Sequence, residues 1–212
     1  VDDLRAGIGR KLVGFHFVSG RYATKPPDGY QSFQKTLPST IVDWNCKGKF
    51  MYILLDDTTD DYQRSVWITL GMTGRFLSEK ALRETPNDQV RWYLELVSSN
   101  KHTTTIYYAD SRSFGTLKFC TSRQLLVDKL AKLGPDILRT CTETDFLNVV
   151  HKCEQWNVCK LLMDQSKIAG IGNYILAEGL YRARVDPFCH VSELSIEQRT
   201  CLFRQLHAVA NE

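Results

Sequence analysis

The chain has 212 residues, a hydrophobic fraction of 43% and a charged fraction of 24%, the make-up of an ordinary globular protein able to bury one large core or two small ones. No stretch reaches the roughly 20 apolar residues of a membrane span, and Val1 to Arg10 is polar, without the apolar centre of a signal peptide. The net charge of +3 is mildly basic, compatible with a polyanionic partner but not diagnostic of one.

In chain order, the first two-thirds read as strands. Segments 11–17, 39–45, 49–56, 65–69, 90–97 and 103–109 are short and rich in β-branched and aromatic residues. In the fifth, Val90, Trp92, Leu94 and Leu96 alternate with Arg91, Tyr93 and Glu95, so one face packs and the other is more polar. Turn formers separate the runs, as at Pro26-Pro27-Asp28-Gly29 and Pro86-Asn87-Asp88. Strands without alternating helices point to an antiparallel sandwich.

The period then changes. Segment 122–133 carries leucines and valine at helical spacing, and Leu133-Gly134-Pro135 stops it. Segments 144–153, 157–164, 174–184 and 195–210 read as helices, the first with Thr144 as N-cap and the last with Ser195 and Gln198 in a capping box. The reading is therefore α+β: an N-terminal antiparallel β-sandwich over 1–121, an interdomain helix and linker over 122–141, and a helical domain over 142–212. The helical pattern still runs at Glu212, so further chain is expected beyond it.

Seven cysteines are scattered, and none forms a C-x-x-C pair. His151, Cys153 and Cys159 lie close in sequence, as do Cys189 and His190. A metal site there is the weaker reading beside buried thiols in a reducing nuclear or cytoplasmic setting. No metal or cofactor is expected from the residues present.

The stretch Leu162 to Tyr174 carries the most chemistry. A helix ends, Gly170 and Gly172 make a tight passage, and Asn173 stands where the next helix begins. Open N–H groups at a helix start suit a phosphate, and glycines let a nucleic-acid strand come close. On spacing alone, a plain helical corner capped by Asn173 is the stronger reading.

The segment Leu162 to Pro187, with Gly170-Ile171-Gly172-Asn173-Tyr174, Ala177-Glu178 and Leu180-Tyr181-Arg182, resembles the helix–two-turn–helix motif of the formamidopyrimidine-DNA glycosylase / endonuclease VIII family. Other signatures follow in the family's order: Val1 to Gly14 resembles its first helix and turn, and Gly48-Lys49-Phe50 leads a strand. Leu70-Gly71-Met72-Thr73-Gly74 resembles its L-G-M-[ST]-G turn, and Asp110-Ser111-Arg112-Ser113-Phe114-Gly115 its D-x-R-x-F-G loop. Leu133-Gly134-Pro135-Asp136 resembles the segment between its domains. The resemblance covers essentially the whole chain. Gly172-Asn173-Tyr174 and Ser19-Gly20-Arg21-Tyr22 look closest to animal and giant-virus endonuclease VIII-like members.

The resemblance implies a base-excision repair glycosylase and AP lyase, a monomer working on duplex DNA with damaged bases or abasic sites and on no membrane. An enzyme acting on a base must take it out of the stack and fill the gap. Met72, Arg112 and Phe114 match the family's void fillers, though without the resemblance Met72 and Phe114 would read as core and Arg112 as a surface charge. Lys49 matches a lysine beside the reaction centre that holds backbone phosphate, and Asn173 a second phosphate contact. Gly172 gives that contact its close approach, and Lys167 is a weaker DNA-binding candidate. Glu178 also matches a family position, yet a glutamate there can simply complement the helix dipole.

Two departures stand out. Thr69 replaces the histidine that bacterial members often carry before L-G-M, and Ser113 replaces a second arginine. The family's N-terminal nucleophile, usually proline followed by glutamate, aligns ahead of Val1-Asp2-Asp3, and Asp2 and Asp3 are poor substitutes. A C-terminal finger, with structural zinc or without, would lie past Glu212. The other reading is a non-catalytic binder of damaged DNA with the same fold.

Overall fold

The computed structural model describes residues 2–55 and 64–212. Val1, Asp56 of the predicted third strand and the side chains of Asp2 and Asp3 lie outside the described residues. The chain divides into two compact units, residues 1–46 with 50–127, and residues 47–49 with 128–212.

In the first unit a 3-10 turn over Asp2–Gly7 leads to β1 (Lys11–Phe17), then the short helices α1 (Arg21–Thr24) and α2 (Tyr30–Gln34). Strands β2 (Ser39–Lys47), β3 (Phe50–Leu55), β4 (Arg64–Thr69) and β5 (Arg75–Leu77) follow, with helix α3 (Glu79–Leu82) after β5. Strands β6 (Val90–Val97), β7 (Thr103–Ala109) and β8 (Thr116–Cys120) complete the set. They pair in the order β5-β7-β6-β1-β2-β3-β4-β8. Every register observed is antiparallel.

The sheet folds over on itself. In a flat sheet β1 and β8, four places apart in that order, would stand about 19 Å apart. Instead the Phe15 and Phe119 rings are 5.0 Å centroid to centroid, edge to face. The two layers thus enclose Phe15, Phe33, Trp44 and Trp92, all fully buried. The alternation in β6 holds, since Val90, Trp92, Leu94 and Leu96 are buried and their neighbours are not. Strands β5 and β8 and the three short helices go beyond the sequence reading. Three to five residues offer too little period to identify an element.

In the second unit the elements are α4 (Arg123–Ala131, which straddles the division), α5 (Glu143–Lys152), α6 (Val158–Met163), α7 (Asn173–Ala183) and α8 (Ile196–Asn211). The cap of α5 is Thr142, not Thr144, because only Thr142 has a carboxylate three residues on, Asp145, to complete a capping box. The Ser195–Gln198 box forms on α8. Phe146, Leu161, Leu162, Ile168, Ile171, Leu180, Leu202 and Leu206 make the core. At about 1.5–3 kcal/mol for each large apolar side chain taken from water, this burial is what holds helices as short as α6. Among the described residues no helix is long and apolar enough to cross a membrane.

Candidate nucleic-acid interface

In the helical unit, the hairpin tip 47–49 meets the segment that leads into α7. Lys49 sits in the turn between β2 and β3 rather than inside a strand, because Gly48 turns the chain at φ 57°. A Cβ on Gly48 would stand 2.5 Å from the Gly170 nitrogen and 2.9 Å from the Ala169 carbonyl carbon, so backbone packs on backbone there. The Gly48 N–H donates to Asp136 Oδ2 at 2.6 Å, and the Lys47 ammonium donates to the carbonyls of Leu130 and Leu133 at 3.1 and 2.8 Å.

These bonds aim Lys49. A Cβ on Gly172 would lie 3.1 Å from both Cε and Nζ of Lys49, so the ammonium rests against the start of α7. Lys49 keeps substantial exposure, yet the nearby backbone removes enough water to lower its pKa. Among the described residues its ammonium has no hydrogen-bonding or ion-pair partner.

Gly172, not Asn173, is the N-cap of α7, and it supplies no side-chain cap. Asn173 is the first helical residue and is exposed, so its amide is not spent on capping. The first backbone bond of the helix runs from Leu176 N–H to the Gly172 carbonyl at 2.8 Å. The N–H groups ahead of it have no intrahelical acceptor, and the helix dipole places partial positive charge on them. Lys49, Gly172 and Asn173 thus form one anion-accepting surface.

Gln165, which the sequence reading gave no role, clips the passage from below. Its amide accepts from Gly170 N–H at 3.0 Å and donates to the Ile171 carbonyl at 3.0 Å. Its side-chain length and its place before two glycines were the available signal. Lys167 points elsewhere: its ammonium lies 5.5 Å from the centroid of Trp156, a ring that Lys160 also covers at 4.4 Å. Glu178 accepts from Arg182 Nε at 2.8 Å, four residues on, an ordinary helix-surface pair.

In the sandwich unit, the 70–74 turn and the 110–115 loop come together. Met72 is 67% exposed and Phe114 is 59% exposed, so neither is a core residue. Arg112 is exposed as well, with Nη1 3.6 Å from the Met72 sulfur. A thioether, a guanidinium and a phenyl ring are presented side by side to solvent. Ser113 between them takes φ 56°, and Thr69 pairs its hydroxyl with that of Thr116 at 2.6 Å.

All seven cysteines are free thiols. Among the described residues no group of three or more His, Cys, Asp and Glu could hold a metal ion.

These two surfaces define an α+β protein with an anion-accepting helix start and exposed apolar and cationic loop tips. The sequence profile of the formamidopyrimidine-DNA glycosylase N-terminal domain matches residues 1–117, and that of the formamidopyrimidine-DNA glycosylase H2TH domain matches residues 133–212. The chain belongs to the formamidopyrimidine-DNA glycosylase family.

The formamidopyrimidine-DNA glycosylase of Xanthomonas axonopodis pv. citri is 30% identical over 169 residues, 79% of this chain and 58% of that protein. The Prochlorococcus marinus protein of that name is 28% identical over 205 residues, 88% of this chain and 68% of that one. The chain thus spans less than two thirds of the Xanthomonas relative. Among solved structures, the Lactococcus lactis formamidopyrimidine-DNA glycosylase bound to DNA with an abasic site superposes with a TM-score of 0.75 at 22% identity, over 99% of this chain and 76% of that one. MutM in complex with DNA containing carbocyclic 8-oxo-G gives 0.76 at 20% identity, again over 99% of this chain and 76% of that one. At that identity the likeness is one of fold.

Proposed function

We propose that the protein is a base-excision repair DNA glycosylase and AP lyase that removes oxidised bases from duplex DNA through a Schiff-base intermediate. The observation that carries this reading is the Lys49 ammonium, without a partner among the described residues, resting on the start of α7, where Gly172 supplies no side-chain cap. A phosphodiester fits there, held by a point charge on one side and by backbone N–H groups and the Asn173 amide on the other. Family membership and relatives named as complexes with abasic-site and 8-oxo-G DNA support the choice of DNA as the phosphate's source.

Each residue has a physical task in this reading. Lys49 and Asn173 hold the backbone beside the damaged nucleotide, and Gly172 lets it approach. Met72 and Phe114 fill the gap left by the extruded base, and Arg112 hydrogen-bonds the base left unpaired. Lys167 has the weaker claim, since its ammonium already has Trp156.

The chemistry needs an amine, which is assigned to no residue here. It attacks C1′ as the glycosidic bond breaks, and the base leaves with the bonding pair and takes up a proton. The amine then loses a proton, the C1′–O4′ bond breaks and O4′ takes up a proton, so that the opened sugar is held as an iminium. This acidifies the C2′ proton, whose loss expels the 3′ phosphate. A nucleus or cytoplasm that keeps thiols reduced suits the seven cysteines.

The test is borohydride trapping of the protein, expressed from its natural start codon, on a duplex with one abasic site. A covalent adduct is the expected result. A protein that binds the duplex but leaves no adduct would overturn the lyase assignment in favour of a non-catalytic binder.

A further inference from the structure

Asp110 is a fully buried carboxylate, 0% exposed, on the edge of an exposed loop. A buried ionised group without partners is costly, so its surroundings must repay that cost. Oδ1 accepts a short hydrogen bond from the Thr73 hydroxyl and one from the Arg112 N–H at 3.2 Å. Oδ2 accepts from the Gly115 N–H at 2.8 Å and from the Tyr108 hydroxyl at 3.4 Å. Burial pushes the Asp110 carboxyl up, but these four hydrogen bonds outweigh it and hold the group below the usual carboxylate range.

The donors come from both sides of the exposed cluster. Thr73 follows Met72, while Arg112 and Gly115 bracket Phe114. The Thr73 hydroxyl also accepts from the Arg112 N–H at 3.2 Å, so one side chain bridges the 70–74 turn and the 110–115 loop twice. Tyr108 anchors the join to the core: its ring stacks on Trp92 at 4.6 Å, and its one hydroxyl proton is shared between Asp110 Oδ2 and the Leu70 carbonyl, which lies 3.2 Å away. A Cβ on Gly115 would stand 1.9 Å from that hydroxyl, so the loop closes on Tyr108 as tightly as a glycine allows. Arg91 holds the loop's other side through the carbonyls of Asp110 and Ser111 at 2.7 and 3.2 Å.

We propose that Asp110 and Thr73 are positioning residues that lock the two loops into one rigid wedge, so that Met72, Arg112 and Phe114 enter the duplex as a unit. The proposal rests on the reading of those three as void fillers. A wedge set in advance avoids the cost of ordering two loops at the moment of binding, and the saving appears only where there is a gap to fill. Locking should therefore raise affinity for an abasic site without changing affinity for intact duplex.

The test compares Thr73→Val, which keeps shape and removes the hydroxyl, with Thr73→Ser, which keeps the hydroxyl. Tyr108→Phe is a second arm, deleting another donor to the same carboxylate while leaving the ring. Each full chain, expressed from its natural start codon, is titrated with intact duplex and with duplex carrying a tetrahydrofuran abasic analogue opposite 2-aminopurine. Thr73→Val and Tyr108→Phe should lose about tenfold in the abasic-to-intact affinity ratio, ~1.4 kcal/mol. They should also show a weaker 2-aminopurine signal, with intact-duplex binding unchanged, and Thr73→Ser should match the wild type. Phe114→Ala separates the two ideas. If it loses the ratio while Thr73→Val and Tyr108→Phe keep it, the lock is wrong and the wedge stands. If Phe114→Ala also keeps the ratio, the wedge reading fails and takes the lock with it.

Discussion

Replacing Lys49 with methionine removes a charge and keeps most of the apolar stem that packs toward Gly172. The Lys49 ammonium has no partner among the described residues, so the substitution strands no buried acceptor and should leave folding nearly unchanged. Its effect belongs to the ligand. A charge-assisted contact to phosphate contributes about 1.5–3 kcal/mol, so affinity for a duplex with an abasic analogue should fall about tenfold or more. Losing one phosphate contact should also flatten the plot of log affinity against log salt by ~0.9. Over a fourfold rise in salt, from about 50 to 200 mM, that slope difference is worth about 3.5-fold, so the gap between variant and wild type narrows by this factor. Fluorescence anisotropy across the salt series reads both quantities. A slope that stays at the wild-type value would refute the phosphate role of Lys49 even if affinity dropped, since affinity alone can fall for reasons of shape.

Two further outcomes follow from the geometry. Gly48→Ala should destabilise the protein by about 2–5 kcal/mol, combining the left-handed backbone at φ 57° with close contacts to the 169–170 backbone. A urea midpoint within error of wild type would show that the tip does not pack as described. For Asp110→Asn the pH dependence is informative, because a carboxyl held below its usual range contributes stability above its unfolded pKa and loses it as pH falls through the folded value. The destabilisation should therefore be constant above about pH 5 and shrink below about pH 4. A loss of stability that is the same at every pH would show that charge is not what the four donors recognise.

Much of the architecture was legible along the chain. The alternation in β6 named its buried face, and the change from a period of two to one of 3.6 after Cys120 marked where strands give way to helices. The three-residue spacing that exposes the Ser195 cap also identifies Thr142 rather than Thr144, so that difference lay within reach of the sequence. The three residues of β5 did not, because their pairing with β7 is decided across the sheet.

The candidate site divides in the same way. The resemblance to the family's motifs singled out Lys49, Met72, Arg112, Phe114 and Asn173; by residue type alone Met72 and Phe114 read as core, Arg112 and Lys49 as surface charges and Asn173 as a helix cap. Their disposition was legible in neither. Met72 and Phe114 would ordinarily lie in a core, and they stand in solvent on two loops that Asp110 joins by taking donors from residues as far as 37 positions away. Lys49 reaches the start of α7 because Gly48 bonds to Asp136, 88 residues on. Local pattern determines which face of a strand or helix is apolar, since that depends on neighbours two to four residues apart. Which polar groups meet depends on contacts that form only after the chain has closed long loops, and those the tertiary structure alone decides.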